Sequence, residues 1–323
     1  MAITKPLVNR IQNLKTEYEA LKKGKESLLV MVDEAEVAEA VYNSNAIENS
    51  TLTLQETEKI LLEMEVAREV TVREVFEAKN LARVVAYIRN KSQETEVTKE
   101  VILFLHQMLI GGIKDDIAGR FRKVGEYVRV GTHIAPAPEQ VEKMIDALLF
   151  EYVADVKSFF VDRLAKFHLE FETIHPFCDG NGRIGRVLIN YQLQRLGFPG
   201  IIIRDKEKKD YYSTFAEYRD KKTAKKMEKI LALSLTESLH KRITYLKGEK
   251  IVTLSDYAKT SHASASALTN AARRQNIPAF REKGVWKIAE GFIYNPYGRR
   301  IPNSQGWNGE KETDPRRRAQ RTK

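Results

Sequence analysis

Thr173-Ile-His-Pro-Phe-Cys-Asp-Gly-Asn-Gly-Arg-Ile-Gly-Arg186 lies between two runs of helical periodicity and leaves the chain few ways to fold around it. Upstream, Leu164, Phe167, Phe171 and Ile174 recur at helical spacing. Pro176 disfavours a helical backbone at His175, so that helix is expected to end there. Downstream, Ile184, Val187, Leu188, Tyr191 and Leu196 mark a second apolar stripe, closed by Gly197 with Pro199 beyond it. Gly180-Asn181-Gly182 therefore falls in the turn that opens the second helix. Free backbone N–H groups and the positive end of the helix dipole point outward there, and small residues let an anion come close.

The polar residues around that turn have a shared chemistry. Arg183 and Arg186 are three apart and share a face of the first turns, where two guanidiniums suit a polyphosphate. Asp179 is a hard oxygen ligand of the kind that could hold a phosphate-bound Mg²⁺. His175 is the group in the stretch that can accept a proton near neutral pH. From the residues alone, this is a site for phosphoryl or nucleotidyl transfer with its own base.

The stretch resembles the Fic motif, His-x-Phe-x-(Asp/Glu)-Gly-Asn-Gly-Arg-x-x-Arg, at every specified position. The resemblance implies transfer of AMP from ATP to a Ser, Thr or Tyr hydroxyl of a target protein. It implies His175 as general base, Asp179 as Mg²⁺ ligand and Gly180 to Gly182 as the anion hole. Asn181 would touch the α-phosphate, Arg183 and Arg186 the β- and γ-phosphates, and Phe177 would anchor the loop. Related Doc-type kinases carry Ala-Asn-Lys where this chain has Gly180-Asn181-Gly182, which argues against a kinase that holds ATP in the reversed orientation. Ser44-Asn-Ala-Ile-Glu48-Asn49 resembles the inhibitory motif (Ser/Thr)-x-x-x-Glu-(Gly/Asn) found ahead of some Fic cores. There the glutamate pairs with the second motif arginine, here Arg186. A carboxylate in the γ-phosphate's place competes with ATP and neutralises its clamp.

Elsewhere the pattern is helical almost throughout. Leu7, Ile11, Leu14, Tyr18 and Leu21 mark one helix, broken near Gly24; residues 33–49 read as the inhibitory helix; 53–90, Val97 to Ile110 and Val141 to Phe160 read as further helices. Tyr211 is placed either against adenine or in packing. The exception to the helices is Tyr127-Val128-Arg129-Val130 to Pro136, whose alternation suggests a hairpin. It follows Gly119-Arg-Phe-Arg122, and a Fic-type flap lies at this distance before the motif. A target's backbone would add beside it as a strand.

Charge divides the chain unevenly. The net is +10; residues 241–323 hold 18 Lys and Arg against 7 Asp and Glu, a net of +11, which leaves −1 for residues 1–240. Within that basic quarter, Thr253 to Lys259 and Ser264 to Gln275 read as two helices. Ile277 to Ile288 reads as a hairpin around Lys283-Gly284, an order that resembles a winged helix-turn-helix. Arg273, Arg274, Arg281, Lys283 and Lys287 could face phosphates, so DNA binding through 250–290 stays open beside a protein-docking role. The single cysteine, Cys178, excludes an intrachain disulfide. As a nucleophile it would suffer from Asp179 and phosphate beside it. No apolar run is long enough to span a bilayer, and the N-terminus has no signal-peptide core, so a cytoplasmic, non-membrane protein is expected.

The expected fold class is all-α: a Fic-type helical bundle with a β-hairpin flap, plus a small C-terminal winged-helix module. The expected division is 1–95 for an N-terminal helical region, 96–246 for the catalytic core, 247–290 for the winged-helix-like module and 291–323 for a disordered basic tail. The substrates are ATP with Mg²⁺ and a hydroxyl-bearing protein, and a homodimer is left open. Two other readings also stay open: removal of AMP by water that Glu48 orients, and a DNA-binding regulator whose core only senses nucleotide.

Overall fold

A computed structural model describes residues 3–66 and 69–295. Met1–Phe292 form one compact unit and Ile293–Lys323 a second, of which only residues 293–295 are described. The expected basic tail thus lies almost wholly outside the described residues.

The architecture is helical, as expected. Helices α1 (Lys5–Lys22) and α2 (Glu26–Ile47) are followed by α3 (Leu54–Glu58), α4 (Val72–Lys91) and α5 (Lys99–Ile110). A two-residue hairpin, β1 (Arg129–Val130) and β2 (His133–Ile134), precedes α6 (Pro138–Ala154), α7 (Phe160–Ile174) and α8 (Asn181–Arg195). Next come α9 (Lys208–Lys221) and α10 (Lys225–Lys247). The chain then runs β3 (Ile251–Thr253), α11 (Leu254–Ser261), α12 (Ala265–Arg273), β4 (Phe280–Glu282) and β5 (Val285–Ala289). The last three strands form one antiparallel sheet in the order β3-β5-β4.

Local chemistry sets many of these boundaries. Thr53 with Glu56 and Thr71 with Glu74 form capping boxes at the starts of α3 and α4. The 53–90 pattern is accordingly interrupted: α3 runs into a π-helical turn over Lys59–Glu63, and Met64 takes a left-handed conformation with φ 60°. The chain therefore leaves the helix before Thr71 restarts it. Helix α6 stops at Ala154, short of Phe160, where Asp155 Oδ1 accepts the Ser158 N–H at 3.1 Å and turns the chain. Helix α2 begins earlier than expected, at Glu26, and ends at Ile47.

Two apolar clusters make the core. One gathers α1, α7, α9 and α10 around Ile11, Leu164, Leu169, Tyr211, Leu235 and Leu239. The other gathers α4, α5, α6 and α7 around Leu81, Val84, Leu105, Ile145 and Phe171. Helix α8 belongs to both, with Ile189 and Leu193 in the first and Ile184, Leu188 and Tyr191 in the second. Packed between two cores, α8 presents a fixed N-terminus.

Candidate active site

The loop between α7 and α8 is shaped mostly by main-chain bonds. His175 caps α7 in the left-handed region, φ 50° and ψ 62°, and its N–H still reaches the Phe171 carbonyl at 2.9 Å. Pro176 disfavours a right-handed turn here, but the left-handed conformation departs from the extended backbone that usually precedes a proline. Phe177 is fully buried, and its ring stacks on His106 at 3.7 Å between centroids. Asn181 accepts the Phe177 N–H and donates to the Phe177 carbonyl, both at 2.8 Å. The Asn181 amide thus holds the loop with its oxygen and one of its two side-chain N–H groups. Gly180, with φ 81°, makes the turn into α8.

Two residues hold this loop from outside: His106, which carried no signal in the sequence, and Arg122, which the sequence marks only as the arginine of the Gly-x-x-Arg segment before the hairpin. His106 on α5 receives the Gly119 N–H on Nδ1 and faces the Asp179 carbonyl with Nε2, each at 3.0 Å. Burial lowers its pKa to about 4, so it serves as a neutral imidazole with the proton on Nε2. Arg122 is buried and reads only carbonyls: those of His175 at 2.9 Å, Pro136 at 2.8 Å, Glu126 at 3.0 Å and Ile174 at 3.3 Å. Its own N–H reaches the Pro176 carbonyl at 3.0 Å. One guanidinium thus ties the end of α7 to both ends of the segment that carries β1 and β2. In that hairpin Arg129 pairs with Ile134 and Val130 with His133, while Tyr127, Arg129 and Val130 are exposed and Val128 is half-buried. His133 Nε2 lies 2.9 Å from the Thr173 carbonyl, which fastens the hairpin to α7.

The charged side chains converge at the start of α8. Asp179 faces Arg73 at 2.8 Å, Lys114 at 3.1 Å and Arg183 at 3.2 Å. Burial alone would raise its pKa; the three cations hold it below the usual carboxylate range. Arg183 also pairs with Glu77 at 3.1 Å. Arg186 donates Nε to the Ser44 hydroxyl at 2.9 Å, and Nη2 to both the Ser44 carbonyl at 2.8 Å and Glu48 Oε1 at 2.9 Å. Two buried guanidinium nitrogens, Arg183 Nε and Arg186 Nη1, make no hydrogen bond of good geometry, though the Arg186 guanidinium also interacts with the buried Tyr211 hydroxyl. A Cβ on Gly182 would stand 2.2 Å from Glu48 Oε1 and 3.1 Å from Arg186 Nη1. A side chain at 182 would push the Glu48 carboxylate aside, and that carboxylate lies directly over the first turn of α8.

His175 sits beside this cradle, largely buried. Burial lowers its pKa to about 4, leaving the ring neutral and able to accept a proton. Glu172 Oε2 is 3.8 Å from its Nδ1. The Glu172 carboxyl is pushed up to about 8 by burial and by the negative charge of Glu48. Tyr211 is fully buried, 2.7 Å from His168 Nε2, so it packs inside the protein. Cys178 has its thiol pKa raised by burial and by Glu126, the wrong direction for a nucleophile.

Of the five cations singled out in the C-terminal quarter, three answer acids of this chain. Arg281 pairs with Glu237 and Glu207, Lys283 with Glu58 and Lys287 with Glu282. Arg273 and Arg274 are exposed.

Residues 96–193 match the model of the Fic/DOC family. The chain is 33% identical over 176 residues to a protein adenylyltransferase Fic of Nematostella vectensis, covering 53% of this chain and 41% of that protein. A similar match, 33% over 177 residues, covers 35% of the Drosophila willistoni protein of the same name. The chain thus matches about two fifths or less of these relatives' length. Among solved structures, a Fic-domain signaling protein of Bacteroides thetaiotaomicron superposes with a TM-score of 0.67 at 25% identity, over 75% of this chain and 98% of that one. A Fic family protein of Desulfovibrio desulfuricans shares the fold over 91% of this chain, TM-score 0.58 at 20% identity. Among the described residues no helix is long and apolar enough to cross a membrane.

Proposed function

This chain carries a Fic/DOC family domain, and from that premise we propose that it transfers AMP from ATP to a protein hydroxyl and is held back by Glu48. The observation that carries the reading is the Glu48 carboxylate itself. It lies against Gly182 and Arg186 at the N-terminus of a buried helix, where an anion is already accommodated by one side chain of the protein. Arg186 Nη1 and Arg183 Nε, which make no hydrogen bond of good geometry, are the donors a polyphosphate would find there.

In the proposed reaction the α-phosphate sits on the first N–H groups of α8, and Arg183 and Arg186 take the outer phosphates. His175, neutral at physiological pH, removes the proton from the target hydroxyl. The oxygen attacks the α-phosphorus, the bond to the β-phosphate oxygen breaks, and pyrophosphate leaves. The exposed hairpin at Tyr127 to Val130 would receive the target's backbone. Glu48 on Arg186 occupies the place of the γ-phosphate and keeps ATP from aligning.

The residues present suit Mg²⁺ only in company with phosphate. No group of three or more metal-ligating side chains occurs among the described residues, whereas Asp179 offers one ionised carboxylate at the mouth of the cradle. That donor set matches a Mg²⁺ bound through one carboxylate and phosphate oxygens. Asp179 would hold it, and when bound it would offset charge on the phosphates. Arg73 and Lys114 would then have to give up Asp179.

The test is incorporation of label from ATP with Mg²⁺ into lysate and into the protein itself. Glu48→Gly should incorporate well above wild type. Adding His175→Ala should remove that gain by about 10²- to 10⁴-fold while ATP binding persists. Full activity without His175 would sink the assignment of the base. Release of AMP from a modified protein by wild type, lost in Glu48→Gly, would favour the removal reading instead. The three internally paired cations weigh against the DNA-binding reading; duplex binding that weakens steeply with salt would restore it.

A further inference from the structure

Nine residues before Glu48, which caps the C-terminus of α2, a second glutamate is built into that helix differently. Glu39 is buried. Its Oε2 accepts the backbone N–H of Lys283 at 3.0 Å and its Oε1 that of Gly284 at 3.1 Å. Arg204 donates to the same Oε1. The two amides form the turn between β4 and β5, where Lys283 has φ 50° and Gly284 φ 78°. Arg204 also reaches Glu237 of α10 at 3.2 Å. Glu237 in turn takes three groups of Arg281 on β4: the main-chain N–H at 3.0 Å, Nε at 2.9 Å and Nη2 at 2.7 Å. One turn earlier on α2, Glu36 pairs with Lys241 and Arg242 of α10 at 2.9 and 2.5 Å. None of these groups touches the phosphate cradle, and the proposed reaction uses none of them.

Buried carboxylates of this kind tolerate little displacement. Rotating or sliding α2 by one residue takes Glu39 off both amides and leaves a charge buried without its partners. A helix is stiff over so short a length, and Glu48 lies about 13 Å further along its axis. The register fixed at Glu39 therefore decides where Glu48 emerges. We infer that Glu39 is a positioning residue for Glu48: the β4–β5 turn, acting through Glu39, sets the register of α2 and so places the Glu48 carboxylate against Arg186. This rests on the proposed reading of Glu48 as the competitor of ATP. It gives the C-terminal hairpin a part in restraining a site to which it contributes no residue.

The test uses the full chain, with ATP, Mg²⁺ and label incorporation as the readout. Glu39→Gln keeps the size of the side chain and can still accept one amide, but loses the charge that holds Arg204. It should raise incorporation about tenfold, within the usual range of coupling between sites. Hydrogen exchange at the Asn45 to Asn49 amides should quicken in parallel. Gly284→Val strains the turn at its positive φ, where the only neighbour within 4 Å is Lys206 Nζ at 3.9 Å. It should raise incorporation less, and it decides the matter if Glu39→Gln does not fold. Neither change should add to the gain of Glu48→Gly, because with the carboxylate gone its placement no longer matters. Wild-type incorporation in both folded variants, beside a raised Glu48→Gly, overturns the inference and leaves the proposed function standing. A further gain in the Glu48→Gly background also overturns it. Should Glu48→Gly itself fail to rise, the reading of Glu48 falls, and this inference with it.

Discussion

Glu39 within α2 and Glu48 at its C-cap are the same residue type and both meet an arginine, yet they are held in opposite ways. Glu39 is buried and uses both oxygens, on two main-chain amides and a guanidinium. Glu48 has a side chain 36% exposed and reaches Arg186 through one oxygen. Arg186 does not depend on it, since Ser44 supplies a hydroxyl and a carbonyl to the same guanidinium. The first arrangement fixes a helix in place; the second can be exchanged for another anion without leaving the arginine bare. An ion pair with protein on all sides specifies structure, whereas one open to solvent and backed by spare donors can act as a stand-in for a ligand.

The largest expected difference between the two ends is in stability. Glu39→Ala leaves two main-chain amides without an acceptor and takes one of its two acids from Arg204 in the interior, and should cost about 3–5 kcal/mol. Glu48→Ala leaves Arg186 with Ser44 and open to water, and should cost about 1–2 kcal/mol. Denaturant titration of both variants measures this directly, and equal losses would erase the distinction. The next difference is electrostatic. Glu48 helps hold the Glu172 carboxyl near 8, after burial, while Glu39 is not among the causes. A carboxyl raised in the fold stays protonated there after the unfolded chain has lost the proton. It therefore costs stability progressively as pH climbs from about 4.5 to about 8. Glu48→Gln should lower the Glu172 titration and lessen that decline, and Glu39→Gln should leave the titration where it is; carbon-13 shifts of the carboxyl read both. The smallest effect is at the tip of the turn. Lys283 pairs with Glu58 at 2.9 Å with its side chain 65% exposed, so Lys283→Ala should change stability by about 1 kcal/mol or less. A larger loss would mean that the turn is held by its side chains as well as by the Glu39 carboxylate.

What the sequence made legible follows the range of the interactions. The helix end at His175, the turn at Gly180 and the Lys283-Gly284 hairpin rest on Pro, Gly and neighbours within a few residues, and local chemistry sufficed for them. Serine and threonine caps at Thr253 and Ser264 belong with these. The pattern over 53–90 misled because Leu54, Ile60, Leu61 and Met64 keep a helical period while Met64 itself turns left-handed, a conformation that periodicity does not register. His106 and Glu39 gave no sign at all, and Arg122 stood out only as part of the segment leading into the hairpin. Their partners are carbonyls, amides and charges up to 245 residues away, and nothing in a stretch such as Glu-Val-Ala-Glu-Ala marks one glutamate as buried. Likewise, the excess of positive charge in the last quarter looked free for a partner, although three of the five singled-out cations answer acids placed earlier in the chain.

The Arg122 guanidinium holds the loop between α7 and α8 and the hairpin by carbonyl oxygens alone. Every residue type supplies that oxygen, so the grip is indifferent to which side chains the hairpin carries. Tyr127, Arg129, Val130 and Ile134 can be rewritten by mutation without moving His175, provided the backbone path survives. A surface of this kind can drift toward new sequences while the chemistry behind it stays put. Under the proposed function, one chain design could then diversify in the targets it docks while the loop carrying His175 stays in place.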